Sequence, residues 1–191
     1  MNELSLFTGA GGGVYGSKLL NHRIIGYVEF NEHCQKIIRQ RVEDGIFDEA
    51  PIFTDVRAFA DIAEQYRGFT DVVTAGFPCQ PFSVAGQRAA EDDERNMWPA
   101  TLDIIKKIQP KVCLLENVPG LLSAGDGGVE DGTGRPICGY FGNILRDISE
   151  NGYDAQWTVL GADDVGFGGK HRRKRLWVKC TRRDAANTDN T

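Results

Sequence analysis

Residues 4–7 read as a short strand that runs, after a single threonine, straight into Gly9-Ala10-Gly11-Gly12-Gly13, and helical spacing starts at once over 14–20. Glycines let the backbone reverse tightly and leave N–H groups open at the start of a helix. A strand that feeds a helix through so short a turn points to an open α/β sheet. The rest of the chain repeats this alternation. Strand patterns at 24–29, 52–54, 71–75, 112–115, 157–160 and 176–178 are separated by helical periods. These are Ile37, Ile38 and Arg41; then Val56, Phe59, Ala60, Ala63 and Tyr66; then Leu102, Ile105 and Ile108; then the stretch 140–149. Residues 112–115 are apolar throughout, the pattern of a central strand in a parallel sheet. The expectation is a doubly wound, mostly parallel α/β sheet, with ligands at the carboxyl ends of the strands.

Composition narrows the class. Of 191 residues, 41% are hydrophobic and 26% charged, a globular balance that argues against disorder. No apolar run approaches the ~18–20 residues that cross a bilayer, and the first residues lack the basic start and apolar stretch of a signal peptide. A cytoplasmic protein is expected, with one domain over 1–180 and a polar tail over 181–191. The five cysteines, at 34, 79, 113, 138 and 180, include no Cys-x-x-Cys pair, which argues against structural zinc and a disulfide framework. The net charge of −5 hides an asymmetry: residues 1–169 carry 14 Lys/Arg against 25 Asp/Glu, while 170–183 carry eight Lys/Arg and no acid. A solvated strand edge and a local phosphate-binding segment on an acidic body both fit that basic run.

Four motifs fall at strand ends. The glycine turn, with Phe7, Gly9, Gly11 and Gly12, is followed by Glu29 at the end of the second strand, where a carboxylate can accept bonds from both ribose hydroxyls. Together they suggest an adenosine-type cofactor, and NAD, a flavin or S-adenosylmethionine would each fit. Gly76-Phe77-Pro78-Cys79-Gln80-Pro81-Phe82-Ser83 follows the fourth strand; a cysteine held between two prolines at the ligand edge suits a nucleophile better than a core position. Glu116-Asn117-Val118-Pro119 ends the next strand, placing an acid where it can face the same cleft, although a turn cap would use the same residues. Finally, His171-Arg172-Arg173-Lys174-Arg175 precedes the last strand, and in an extended segment His171, Arg173 and Arg175 share a face.

Phe-x-Gly-x-Gly-Gly, then Gly-Phe-Pro-Cys-Gln-Pro-Phe-Ser, then Glu-Asn-Val, in this order over roughly residues 3–180, resembles the DNA cytosine-5 methyltransferase family. The resemblance implies a Rossmann-like fold, S-adenosylmethionine as cofactor and double-stranded DNA as substrate, in a prokaryotic or phage-infected cell and in a restriction–modification setting. Asp55 matches the family acid near the cofactor adenine, and Pro78 lies on the cofactor side of the Pro-Cys motif. Arg95 matches the arginine of an Asp-x-Arg-Gly element, with Asn96 in the glycine's place. His171, Arg173 and Arg175 resemble a Gln-x-Arg-x-Arg motif, with histidine for glutamine. Gln80, Ser83, Asn117 and Val118 fall among the substrate-binding positions. The implied chemistry flips a cytosine out of the duplex, adds the Cys79 thiolate to carbon 6 with Glu116 at ring nitrogen 3, and methylates carbon 5. Arg173 and Arg175 would orient the base and a phosphate.

Two departures qualify the match. Val165-Gly166-Phe167-Gly168-Gly169-Lys170 replaces the family's shorter Val-Pro or Ala-Pro step, adding slack before the arginines. The family also continues into a target-recognition domain and a closing helix that packs beside the first glycine turn. A chain without them is expected to need a missing or separate second polypeptide and to expose apolar surface at that turn. The alternatives are a non-catalytic remnant that binds cofactor or a partner, and a tRNA cytosine-5 methyltransferase on the same scaffold. An NAD-dependent oxidoreductase leaves Pro78-Cys79-Gln80 and Glu116-Asn117-Val118 unexplained.

Overall fold

A computed structural model describes residues 1–78, 96–123, 139–164, 166, 168–170 and 172–184. Seven strands make one sheet: β1 (Asn2–Leu6), β2 (Arg23–Val28), β3 (Ile52–Phe53), β4 (Val72–Ala75), β5 (Val112–Asn117), β6 (Tyr153–Gly161) and β7 (Lys174–Arg182), in the spatial order β3-β2-β1-β4-β5-β7-β6. The pairings among β1 to β5 are parallel, and β7 runs antiparallel between β5 and β6. The order reverses between β1 and β4, so the carboxyl ends of these strands flank the crevice where open sheets bind ligands.

Helices cover both faces, as expected of a doubly wound sheet. α1 (Gly12–Leu19) and α2 (Glu32–Glu43) bury Val14 and Ile38 against Ile24, Tyr27 and Phe47. On the other face, α3 (Val56–Ile62), α4 (Trp98–Ile108) and α5 (Tyr140–Glu150) close the larger core, with Phe59, Ile104, Ile105, Ile144 and Ile148 packed over Leu4, Leu6, Val73 and Leu115. α4 ends where Gln109 turns left-handed (φ 53°) ahead of Pro110. Strand β2 contains a bulge: Glu3 pairs with Ile24 but Leu4 with Gly26, so one residue of β2 is skipped. The skip lets Ile24 and Tyr27 share the α1–α2 side, while Gly26 turns toward Leu4, Phe53 and Tyr66. No helix among the described residues is long and apolar enough to cross a membrane.

The sheet departs from the sequence expectations in two places. The apolar run 112–115 is a central strand, but its neighbour β7 runs antiparallel and burial alternates along β5, with Cys113, Leu115 and Asn117 buried and Val112, Leu114 and Glu116 half-buried. The reason is that no described helix sits over this part of the sheet on the α1 side. The last two strands are also far longer than 157–160 and 176–178, at nine residues each. Their exposed Gln156, Thr158 and Lys179 alternate with inward residues and dilute the apolar signal. Of the glycine-rich stretch 120–135, only 120–123 is described, within the 3₁₀ turn Pro119–Ser123.

A polar cluster is buried beneath α1. Glu3, 1% exposed, lies on β1; its Oε1 accepts from Ser17 Oγ of α1 (2.7 Å) and from Thr74 Oγ1 of β4 (2.9 Å), and its Oε2 pairs with His22 Nδ1 (2.7 Å). Cys113 and Cys180 stand opposite each other on β5 and β7, both buried. Desolvation raises both thiols, Cys180 to about 12 and Cys113 well above its ordinary value, so neither is a reactive thiolate near neutrality.

Candidate active site

The crevice has two halves. In the first, the chain leaves β1 through Phe7, held at φ 53°, and then through Gly9 and Gly11 at φ 58° and 86°. A Cβ on Gly11 would run into the Phe47 ring, so this turn needs glycine for space as well as for conformation. α1 starts at Gly12 with no side chain capping it, which leaves its first N–H groups directed at the crevice. Glu29, almost fully buried at the end of β2, accepts from Gly9 N through Oε2 (2.6 Å) and from Asn31 N through Oε1 (2.7 Å). The carboxylate therefore ties the glycine turn to the β2–α2 turn, and each oxygen keeps a second lone pair for a ligand. Gln35 Nε2 donates to the Glu29 carbonyl (2.8 Å) and fixes the same turn from below. Beside it, Phe30, Asn31, Glu32, Gln35 and Thr54 line an open cleft, with the Phe30 ring 82% exposed. Asp55 follows Thr54 and caps α3, accepting from Arg57 N (2.8 Å).

The second half lies across β4, β5 and β7. Glu116, at the end of β5, is bound by Arg175, whose Nε lies 2.7 Å from its Oε1, with both side chains about three-quarters buried. The antiparallel return of β7 brings them together: Glu116 stands opposite Trp177, and Arg175 lies two residues along on the same face. A Cβ on Gly76 would come within 3.1 Å of Glu116 Oε2, so glycine at the end of β4 leaves room for the carboxylate. Asn117, buried, donates from Nδ2 to the Phe77 carbonyl (3.0 Å) and accepts from Val118 N (2.8 Å), linking the two motif loops at their roots. Pro78 and Val118 are exposed.

The sequence motifs thus divide as the crevice does. Phe7, Gly9, Gly11, Gly12 and Glu29 meet in the first half, with Asp55 at its rim; Pro78, Glu116, Asn117, Val118 and Arg175 meet in the second. Arg173 is exposed at the entry to β7, and the ion pair to Glu116 is made by Arg175. Cys79, Gln80, Ser83, Arg95 and His171 lie outside the described residues. Gln35 was not singled out from the sequence; a glutamine three residues before Ile38, on the inward face of α2, was its only signal.

Comparison with known proteins gives the family context. The family model for C-5 cytosine-specific DNA methylase matches residues 1–191. The chain is 32% identical over 165 residues to the type II methyltransferase M.NgoMIV of Neisseria gonorrhoeae, covering 86% of this chain and 47% of that protein. It is 29% identical over 184 residues to M.CviJI of Paramecium bursaria Chlorella virus IL3A, covering 95% and 43%. Among solved structures, the S. pombe Dnmt2 methyltransferase superposes with a TM-score of 0.69 at 19% identity, over 96% of this chain and 51% of that one, which speaks for a shared fold. The chain spans about half the length of these curated relatives.

Proposed function

The chain belongs to the C-5 cytosine-specific DNA methylase family, and from that membership we propose that it carries the cofactor and chemistry half of a DNA cytosine-5 methyltransferase. The observation that carries the proposal is the Glu116–Arg175 pair beside the root of the Pro-Cys loop. S-adenosylmethionine fits the first half of the crevice: open amides at the start of α1, a buried carboxylate with free lone pairs, and an adjacent cleft with an exposed aromatic ring. When bound, it supplies an electrophilic methyl group. Phe7, Gly9, Gly11 and Gly12 would contact it through the backbone, Glu29 would accept its ribose hydroxyls, and Asp55 and Pro78 would border it.

In the second half, the Cys79 sulfur would bond to carbon 6 of a flipped cytosine while Glu116, as the acid, protonates ring nitrogen 3 and so takes up the charge that the addition creates. The methyl group would pass to carbon 5 with S-adenosylhomocysteine as the leaving group; loss of the carbon 5 proton to solvent, release of the Cys79 sulfur as thiolate and return of the ring-nitrogen proton to Glu116 would complete the cycle. Arg175 would hold the Glu116 side chain toward the base, and Arg173, exposed at the entry to β7, would stand at the DNA side. Gln80, Ser83, Arg95, Asn117, Val118 and His171 complete the substrate set. Arg175→Ala is expected to lower the rate of base attack by about 10²-fold, the scale of losing one preorganised electrostatic partner, with cofactor affinity unchanged in calorimetry.

Target recognition is assigned to a further part or to a second polypeptide. Support comes from α1, where Tyr15, Leu19 and Leu20 are 45%, 85% and 66% exposed, and from the half-bare strands β5 and β7 on the same side of the sheet. An exposed cluster of this kind suits a partner element. The relatives' type II naming supports a restriction–modification role, and DNA as substrate supports a cytoplasmic place.

The deciding experiment incubates the chain, alone and with a recognition polypeptide, with S-adenosylmethionine and duplex DNA containing 5-fluorocytosine. Fluorine blocks loss from carbon 5, so a covalent protein–DNA adduct through Cys79 is expected. Intact S-adenosylmethionine binding with no adduct in either mixture would overturn the proposal.

A further inference from the structure

The two edges of the sheet are built differently. β3 closes one edge with two residues directly after Pro51, too short to template another strand. β6 closes the other with nine, in unbroken register with β7. Ala162 N donates to the Arg173 carbonyl and Arg183 N to the Gly152 carbonyl, so the even-numbered residues of β6 direct their backbone groups to β7. The odd-numbered ones, Tyr153, Ala155, Trp157, Val159 and Gly161, turn theirs outward along the edge. Both ends of that row are already closed. The Tyr153 carbonyl accepts from Arg183 Nη1 (3.4 Å); Gly161 N donates to Asp164 Oδ2 (2.6 Å), and its carbonyl accepts from Asp164 N (3.2 Å). Among the described residues nothing meets the outward groups of Ala155, Trp157 and Val159. Over 155–159 the edge also lacks the usual protections: it has no lysine, no proline, no bulge and no charge.

We infer that this open edge pairs with the same edge of a second copy of the chain, antiparallel and about a twofold axis through Trp157. The shape of the open row selects that occupant: it is symmetric about Trp157, so two copies fit each other without a slip of register. Trp157 then faces its own counterpart, and Ala155 of each copy faces Val159 of the other. Each of these pairs exchanges both backbone bonds, about six in all. The side chains agree with this register. Ala155 and Val159 pack on the larger core, and Trp157 is half exposed with its ring edge-on to Phe141 at 5.6 Å. The two indoles therefore meet on the α5 face as an aromatic cross-strand pair. On the other face Gln156 meets Thr158, both exposed and polar. Asp154, the charged residue of β6, is already paired with Arg183 (3.3 Å) and falls opposite Leu160, so no like charges meet. Because β6 runs parallel to β5, the two crevices lie at opposite ends of the joined sheet.

Sedimentation of the whole chain between about 1 and 100 μM reads the pairing, with monomer expected at the low end and dimer at the high end. Trp157→Lys and Trp157→Glu each set like charges against each other on the axis, and each is expected to weaken the dimer about 100-fold or more. An equimolar mixture of the two variants should restore it, because only a residue that opposes itself meets an opposite charge in that mixture. Both variants should melt within about 3 °C of the wild type, as expected for a change at a half-exposed position. The wild-type chain gives a second reading that needs no variant to fold. Amide exchange at Ala155, Trp157 and Val159 should slow at least about fivefold between the two concentrations, with Ile52 and Phe53 of β3 unchanged. A wild-type chain still monomeric at about 100 μM overturns the inference, as does a dimer that persists in both variants or a mixture that stays monomeric. Slowing of the same amides by a recognition polypeptide, in a chain that does not pair with itself, assigns the edge to that polypeptide and equally overturns the second copy.

Discussion

Replacing Cys79 with serine is expected to abolish the 5-fluorocytosine adduct and to lower methyl transfer by about 10⁴-fold or more, the scale of losing a catalytic nucleophile. The reason is chemical. A thiol near pKa ~8.5 ionises readily beside a positive group, whereas a hydroxyl in the same place stays protonated and attacks carbon 6 poorly. Sulfur and oxygen differ little in size, and the roots of the loop are held by groups other than Cys79: Asn117 on the Phe77 carbonyl, and the Phe77 ring on Trp98. The substitution should therefore leave the melting temperature and S-adenosylmethionine affinity at wild-type values. Calorimetric titration checks the second and thermal unfolding the first. A serine variant that retains methyl transfer within about tenfold would remove Cys79 from the mechanism, since such a loss is far below that of a missing nucleophile.

The largest effect on stability is expected at Glu3. Glu3→Ala should cost about 3–5 kcal/mol, the range for removing one partner of a buried ionic cluster. In a chain of this size that lowers the melting temperature by roughly 10 °C. Ser17 has a second acceptor in the Gly13 carbonyl (3.2 Å), but Thr74 and His22 lose the carboxylate altogether. Glu3→Gln preserves shape and the acceptor for Ser17 and Thr74, and His22 can switch tautomer to receive the new amide, so about 1–2 kcal/mol is expected. Chemical denaturation of the three proteins separates these cases. Equal losses in both variants would mean that the charge carries the whole effect and that the shape and acceptor kept by glutamine contribute nothing.

The strand–helix alternation and the ligand edge of the sheet were legible because their signals are local. A strand, a glycine turn and a helix start occur within a few residues at 4–14, and each motif sits immediately after an apolar run. What depends on distant partners was not legible. The Glu116–Arg175 pair exists only because β7 returns antiparallel beside β5, and no periodicity reports which strands become neighbours. The length of β6 and β7 was hidden for a related reason: a strand with one wet face carries half the apolar residues of one covered on both. Glu3 left a trace that could have been followed. It stands directly before the strand read at 4–7, and a carboxylate buried there demands several donors. Ser17, His22 and Thr74, which answer that demand, are far apart in the chain, so their convergence had to come from the fold.

The skipped residue in β2 has a consequence for how this strand can change over evolutionary time. Upstream of the skip, even positions such as Ile24 face α1 and α2; downstream, odd positions such as Tyr27 do. Substitutions there are judged one side chain at a time. Loss of a single codon at residue 25 would remove the skip and leave Arg23, Ile24, Gly26 and Tyr27 on the faces they now occupy, since each already has its partner on β1. The strand leading to Glu29 therefore holds one residue of spare length at that point, and relatives that share its cofactor turn should differ here by exchange or by loss of that one residue.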